Sequence, residues 1–76
     1  MPTDLEDRML GVLASRRAQD QTTISDFARM FGASRELVAS CTQRMVESGS
    51  ALGCYVDRRG IATLHGLRPQ PTAAHA

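Results

Sequence analysis

The residues best equipped for chemistry in this chain are its arginines. All nine basic residues are Arg and none is Lys. A guanidinium presents planar, paired donors that match phosphate oxygens and the acceptor edge of guanine. A GC-rich coding bias accounts for the same preference at least as well, since Ala and Gly are also common. The distribution says more than the total. Residues 1–28 hold Asp4, Glu6, Asp7, Asp20 and Asp26 against Arg8, Arg16 and Arg17, a net charge of −2. Residues 29–76 hold Arg29, Arg35, Arg44, Arg58, Arg59 and Arg68 against Glu36, Glu47 and Asp57, a net of +3. The whole chain carries only +1, so composition alone does not announce a polyanionic partner.

Other chemistries find little support. Cys41 and Cys54 are too few for a disulfide framework and form no CxxC pair. Core thiols are the favoured reading. A redox switch is less favoured, because neither has a thiolate-stabilising neighbour in sequence. His65 and His75 are too isolated for a metal site. No set of serine, histidine and acid, no Gly-rich phosphate loop and no paired carboxylate suggests catalysis. The expectation is a binding protein rather than an enzyme, with no cofactor. No apolar run approaches a membrane span. The N-terminal MPTDLEDR is acidic and has no apolar signal-peptide core, so a cytoplasmic location is expected.

The elements that must position these arginines follow from spacing. At 76 residues with 42% apolar content, the chain has enough for one core and one small domain. A domain this size is marginal alone, which makes dimerisation a natural remedy. Leu5, Met9, Val12 and Leu13 recur at helical spacing and predict a first helix over about residues 4–18. Thr3 and Glu6 fit a capping box at its start, and Leu10 lies off the stripe. Thr22-Thr23-Ile24 is β-branched and suits a short strand. Ser25 is placed to cap a second helix, Asp26 to Phe31, and Gly32 to stop it. Ser34 caps a third helix from Arg35 to about Ser48, with Leu37, Val38, Cys41 and Met45 on its apolar face and Gly49 as C-cap. Residues 51–56 and 61–64 read as two strands of a hairpin around Asp57-Arg58-Arg59-Gly60. Leu52, Cys54 and Val56 share one face, and Gly53 weakens the strand or marks a bulge. Residues 67–76, with two prolines and no apolar period, read as a disordered tail behind a domain spanning 1–66.

Ala28, Gly32, Ser34, Val38 and Cys41 stand at helix-turn-helix spacing. Ala28 is small where a crossing helix needs room, and Gly32 permits the left-handed turn that lets two helices meet steeply. With the helix before it and the hairpin after it, the run over residues 4–65 resembles the winged helix-turn-helix family of transcription regulators. Met45, Gly49 and Leu52 fill the positions at the end of that family's recognition helix, and Asp57 to Gly60 the wing tip. Cys41 departs from the usual branched aliphatic but is small and apolar enough to serve. The resemblance implies a mainly α fold of three helices plus a two-stranded wing.

It also implies sequence-specific binding to double-stranded DNA through the third helix. Arg35, Ala39, Ser40 and Gln43 would face the major groove, Arg toward guanine, Gln toward adenine and Ala toward a thymine methyl. Arg44 lies off the apolar face of the same helix and joins the candidates. Arg58 and Arg59 would meet backbone phosphate or the minor groove, and Thr23, Ser25 and Ser34 would reach phosphates through hydroxyls and helix N-termini. An ordinary solvated helix face or polar turn is the alternative for each. One domain reads few base pairs, so a homodimer on a two-fold site, acting as a small repressor on the nucleoid, is expected. A protein–protein winged-helix module is the competing reading, supported by Glu36, Glu47 and the weak net charge. An accessory factor that bends DNA is a third.

Overall fold

The computed structural model describes residues 4–70. Thr3, the expected cap of the first helix, and residues 71–76 of the expected tail lie outside the described residues. The order of elements is α1 (Asp4–Ala14), β1 (Thr22–Thr23), α2 (Ile24–Phe31), α3 (Arg35–Glu47), β2 (Ala51–Arg58) and β3 (Ile61–Pro69). The sheet is antiparallel with strand order β1-β3-β2. Over the described residues the fold is therefore three helices with a three-stranded sheet, not a mainly α domain with two strands. The third strand is the β-branched Thr22–Thr23, which pairs with Gly66 and Leu67. Only the base of the hairpin has three strands, and from Tyr55 to Leu64 it projects as a two-stranded ribbon.

α1 begins with Asp4, Glu6 and Asp7, acids that favour the positive end of a helix. It buries Met9 and Leu13, with Leu5 and Val12 packed alongside. It stops four residues earlier than the expected 18. After Leu13 there is no further apolar residue to bury, and the chain tightens. Ser15 N–H and its hydroxyl both donate to the Val12 carbonyl, at 3.1 and 2.7 Å, and Arg16 N–H donates to Leu13.

α2 starts two residues before the expected Asp26, and its cap is Thr23 rather than Ser25. Asp26 N–H donates to the Thr23 hydroxyl at 3.0 Å, and Thr23 N–H donates to the Asp26 carboxylate at 3.3 Å. Two amides that the helix leaves unpaired are thus satisfied reciprocally. The Thr23 bonds, led by the one from its amide, hold the Asp26 carboxyl below its ordinary 3.8. A carboxylate depressed by folding binds fewer protons folded than unfolded. Its contribution is complete above the ordinary value and is lost as pH falls through the lowered one. Thr23→Ala should cost about 1 kcal/mol at neutral pH. Asp26→Asn should flatten the acid limb of stability against pH, and urea unfolding at neutral and acid pH checks both. An acid limb identical to wild type would show that the box carries no linkage.

Gly32 ends α2 at φ 60°, with its N–H and that of Ala33 both returning to the Ala28 carbonyl. Ser34 caps α3, accepting from Leu37 N–H at 3.1 Å. The inward face of α3 is Val38, Cys41, Thr42 and Met45. Leu37, expected there, is 49% exposed. Thr42 takes the inward place because its hydroxyl is satisfied locally, donating to the Val38 carbonyl at 2.7 Å. Ser48 rather than Gly49 is the C-cap residue, and Gly49 follows at φ 80°. Phe27 is fully buried and stacks on Phe31 at 6.2 Å between ring centres.

Both strands of the hairpin are longer than expected, and the expected tail starts too early. Leu67 lies in β3 and is fully buried beside Ala51, Met45 and Met9. Gln70 donates to the Gly49 carbonyl at 2.8 Å, closing that end of the sheet on the end of α3. The turn is two residues, Arg59 and Gly60, at φ 55° and 77°. Positive φ at both central residues is the type I′ arrangement that suits the twist of a hairpin. An irregularity lies beside Gly53: pairing passes from Cys54↔Gly66 to Tyr55↔Leu64, leaving His65 as the extra residue on β3.

Thr22 is buried, and its hydroxyl is the one described buried side-chain polar atom without a hydrogen-bond partner. Desolvating a hydroxyl without compensation costs stability. Thr22→Val keeps the shape and the β-branch, so it should stabilise by about 1 kcal/mol, a rise in Tm of roughly 4–8 °C. A lower Tm in calorimetry would show that the hydroxyl has a partner after all.

Candidate nucleic-acid interface

The outward surface of α3 follows from its inward one. With Val38, Cys41, Thr42 and Met45 buried, the opposite stripe is Glu36, Ser40, Gln43 and Glu47, all exposed. Gln43 donates to the Glu47 carboxylate at 3.1 Å. Ala39 is half-buried on the flank toward Arg35. The middle of this helix thus offers a serine, a glutamine and a small apolar residue between two acids.

Arg44 points elsewhere. Its guanidinium pairs with Glu6 of α1 at 2.7 Å and also donates to the Cys41 sulfur at 3.4 Å. The Glu6 hydrogen bond holds it above its ordinary range. The pair ties α1 to α3, and Arg44 is committed to that contact. Thr23 and Ser34 also have structural work, as caps of α2 and α3.

Three of the sequence candidates do converge. Ser25 from the first turn of α2, Arg35 from the first turn of α3 and Arg58 from β2 line one cleft of about 170 Å³. Val56, Thr63 and His65 complete much of its wall. Antiparallel pairing explains the hairpin's share, since Val56 and Arg58 alternate onto the same face as their partners Thr63 and Ile61. Asp57 falls on the other face with Ala62. Arg59 sits next to Arg58 at the tip.

The charge in this region is unspent. Arg17, Arg29 and Arg44 each pair with a carboxylate. Among the described residues, Arg35, Arg58 and Arg59 have no such partner, and neither do Arg8, Arg16 and Arg68, which lie outside this cleft. His65 and Thr63 were not legible as site residues. His65 reaches the cleft through a strand irregularity, and Thr63 through cross-strand alternation with Val56, neither of which leaves a mark in the sequence near Arg35.

No group of three or more His, Cys, Asp or Glu among the described residues is placed to hold a metal ion. No described helix is long and apolar enough to cross a membrane. No family model, curated protein or solved structure matches the chain.

Proposed function

We propose that this chain is a winged helix-turn-helix regulator that binds double-stranded DNA, with α3 in the major groove and the β2–β3 ribbon as its wing. The observation that carries the reading is the convergence of Arg35 and Arg58, two arginines without internal ion pairs, on one cleft between the start of α3 and the ribbon, with Arg59 next to Arg58 in the turn. Such uncommitted guanidiniums suit a polyanion. The α2–Gly32–α3 corner and the ribbon beyond β1 support the same architecture.

Arg35 takes a different part from the one its position in the helix suggests. It shares a cleft with Arg58 on the hairpin side of α3, so it goes to the backbone with Arg58 and Arg59. Base reading falls to Ala39, Ser40 and Gln43. Arg44, paired with Glu6, drops out of the contact set. A two-fold dimer on a two-fold site supplies the discrimination that one domain lacks, and Leu10, 37% exposed on α1, is the first residue to test for that contact.

The test is a gel-shift titration with a randomised duplex pool over a salt series. Three phosphate contacts per protomer predict a slope of about −3 in log K against log salt for each protomer bound. A specific observation favours the competing protein–protein reading: the central stripe of α3 holds Glu36 and Glu47. If no duplex is retained at low salt, that second reading stands and the DNA reading falls.

A further inference from the structure

The cleft beside the wing contains one group that a bare backbone contact does not require. His65 lines it together with Arg35, Arg58, Ser25 and Thr63. These side chains come from α3, β2, α2 and β3, so four elements assemble them. No carboxylate is among the lining residues. Glu36 follows Arg35 but lies on the outward stripe of α3. Asp57 precedes Arg58 but alternates to the far face of the hairpin. Asp26 is engaged by Thr23 and by Arg29 at 3.6 Å. α2 starts at Ile24, so the amides of Ile24 and Ser25 have no partner inside the helix, and both residues line the cleft. His65 arrives there as the extra residue between the Cys54↔Gly66 and Tyr55↔Leu64 pairs. Irregularities of this kind re-aim side chains.

We propose that this cleft seats one phosphate group, and that the His65 imidazole, in its protonated form, joins Arg35 and Arg58 as a donor to it. The proposal rests on the DNA-binding reading for the source of that phosphate, a backbone diester lying beside the wing. Inorganic phosphate and phosphate monoesters share the chemistry. The charged groups that line the cleft with His65 are Arg35 from α3 and Arg58 from β2, while Ser25 and Thr63 are neutral. A phosphate seated beside the imidazole favours its charged form, because an adjacent anion does so. Seating the phosphate therefore takes up a proton from solvent. Histidine is the side chain that changes charge between about pH 5 and 8, whereas a phosphodiester does not titrate there. Duplex affinity should rise as pH falls through that range, and the rise belongs to His65.

The experiment uses the full chain and His65→Gln. Ring-proton NMR, with the His65 signal assigned by its loss in the variant, follows titration with inorganic phosphate and with a randomised duplex pool. Duplex affinity is then measured at about pH 6 and about pH 8. The expected result is movement of the His65 signal by both probes and affinity about fivefold higher at the lower pH in wild type. His65→Gln should bind with little pH dependence. Duplex binding with an unmoved His65 and the same pH dependence in His65→Gln would overturn the seat and leave the DNA reading intact. Phosphate moving His65 with no duplex retained at low salt would keep the seat for free phosphate and end the DNA reading. No response to either probe would end both.

Discussion

Gly66→Ala should destabilise the protein by about 3 kcal/mol, the upper end of what overpacking costs. A Cβ at Gly66 would collide with the Thr22 carbonyl oxygen and lie 2.8 Å from the Thr23 Cα. Both are backbone atoms, so no rotamer change relieves the clash, and β1 must leave β3. β1 pairs with β3 through Thr22↔Leu67 and Thr23↔Gly66. Thr23 is also the cap of α2, and Leu67 belongs to the core, so the damage spreads to the helix pair and the hydrophobic centre. A chain of this length has a total stability of roughly 4–11 kcal/mol, so the substitution should lower Tm by more than 10 °C. Gly11→Ala is the control. It lies within α1, where an added Cβ meets nothing within 4 Å. There the same chemical change should stabilise by about 0.5–1 kcal/mol through helix propensity. Calorimetry on the two variants decides it. Equal effects would show that the contact at Gly66 is not what makes glycine necessary.

Gly66 also marks where sequence reasoning stops. The corner from Ala28 to Val38 was legible because its determinants are local: a left-handed residue at Gly32, a capping hydroxyl at Ser34 and an apolar period on either side. The same local logic misplaced the start of α2. Ser25 stands next to an acid and looks like a cap, but the reciprocal pair is Thr23 with Asp26, three residues apart, which is the spacing a capping box needs. Read locally, Leu67 falls in the tail, because Pro69 and Pro71 follow it. Its partner across the sheet, Thr22, is far away in the chain, and pairing at that separation is not written in any window around Leu67. The Glu6–Arg44 pair has the same character, with 38 residues between the partners. It engages Arg44, a residue that helical position alone leaves without a partner.

The site divides along the same line. Each arginine of the cleft is visible in the sequence, but that Arg35 and Arg58 meet depends on how the hairpin folds back beside α3. Asp57 and Arg58 are adjacent in sequence and opposite in the sheet, so the pleat gives the cleft its charge by separating them. His65 enters only through the irregularity in β3. The acids Glu36 and Glu47, by contrast, were read from the sequence as outward residues and are exposed. They set the competing reading on which the DNA assay decides.

Arg59→Asn should raise stability and weaken DNA binding in one step. Arg59 holds φ 55° as the first central residue of a type I′ turn, a place where Asn or Gly carries little strain and Arg is poorly suited. Replacing it should stabilise the hairpin by about 1 kcal/mol. If the tip meets phosphate, the lost guanidinium should lower affinity about tenfold near 0.1 M salt and reduce the salt slope by about 1 for each protomer, for all sequences alike. Arg35→Ala and Arg58→Ala should have the same uniform effect on binding. Gln43→Ala should instead relax preference at one base position, by about 1–3 kcal/mol. The opposed signs at Arg59 give the test its force, because a more stable protein that binds less tightly has not lost binding by unfolding. A variant with raised Tm and unchanged affinity at every salt concentration would take the tip out of the interface. Sequence-dependent losses at Arg35 would return it to the base edges and remove it from the phosphate seat.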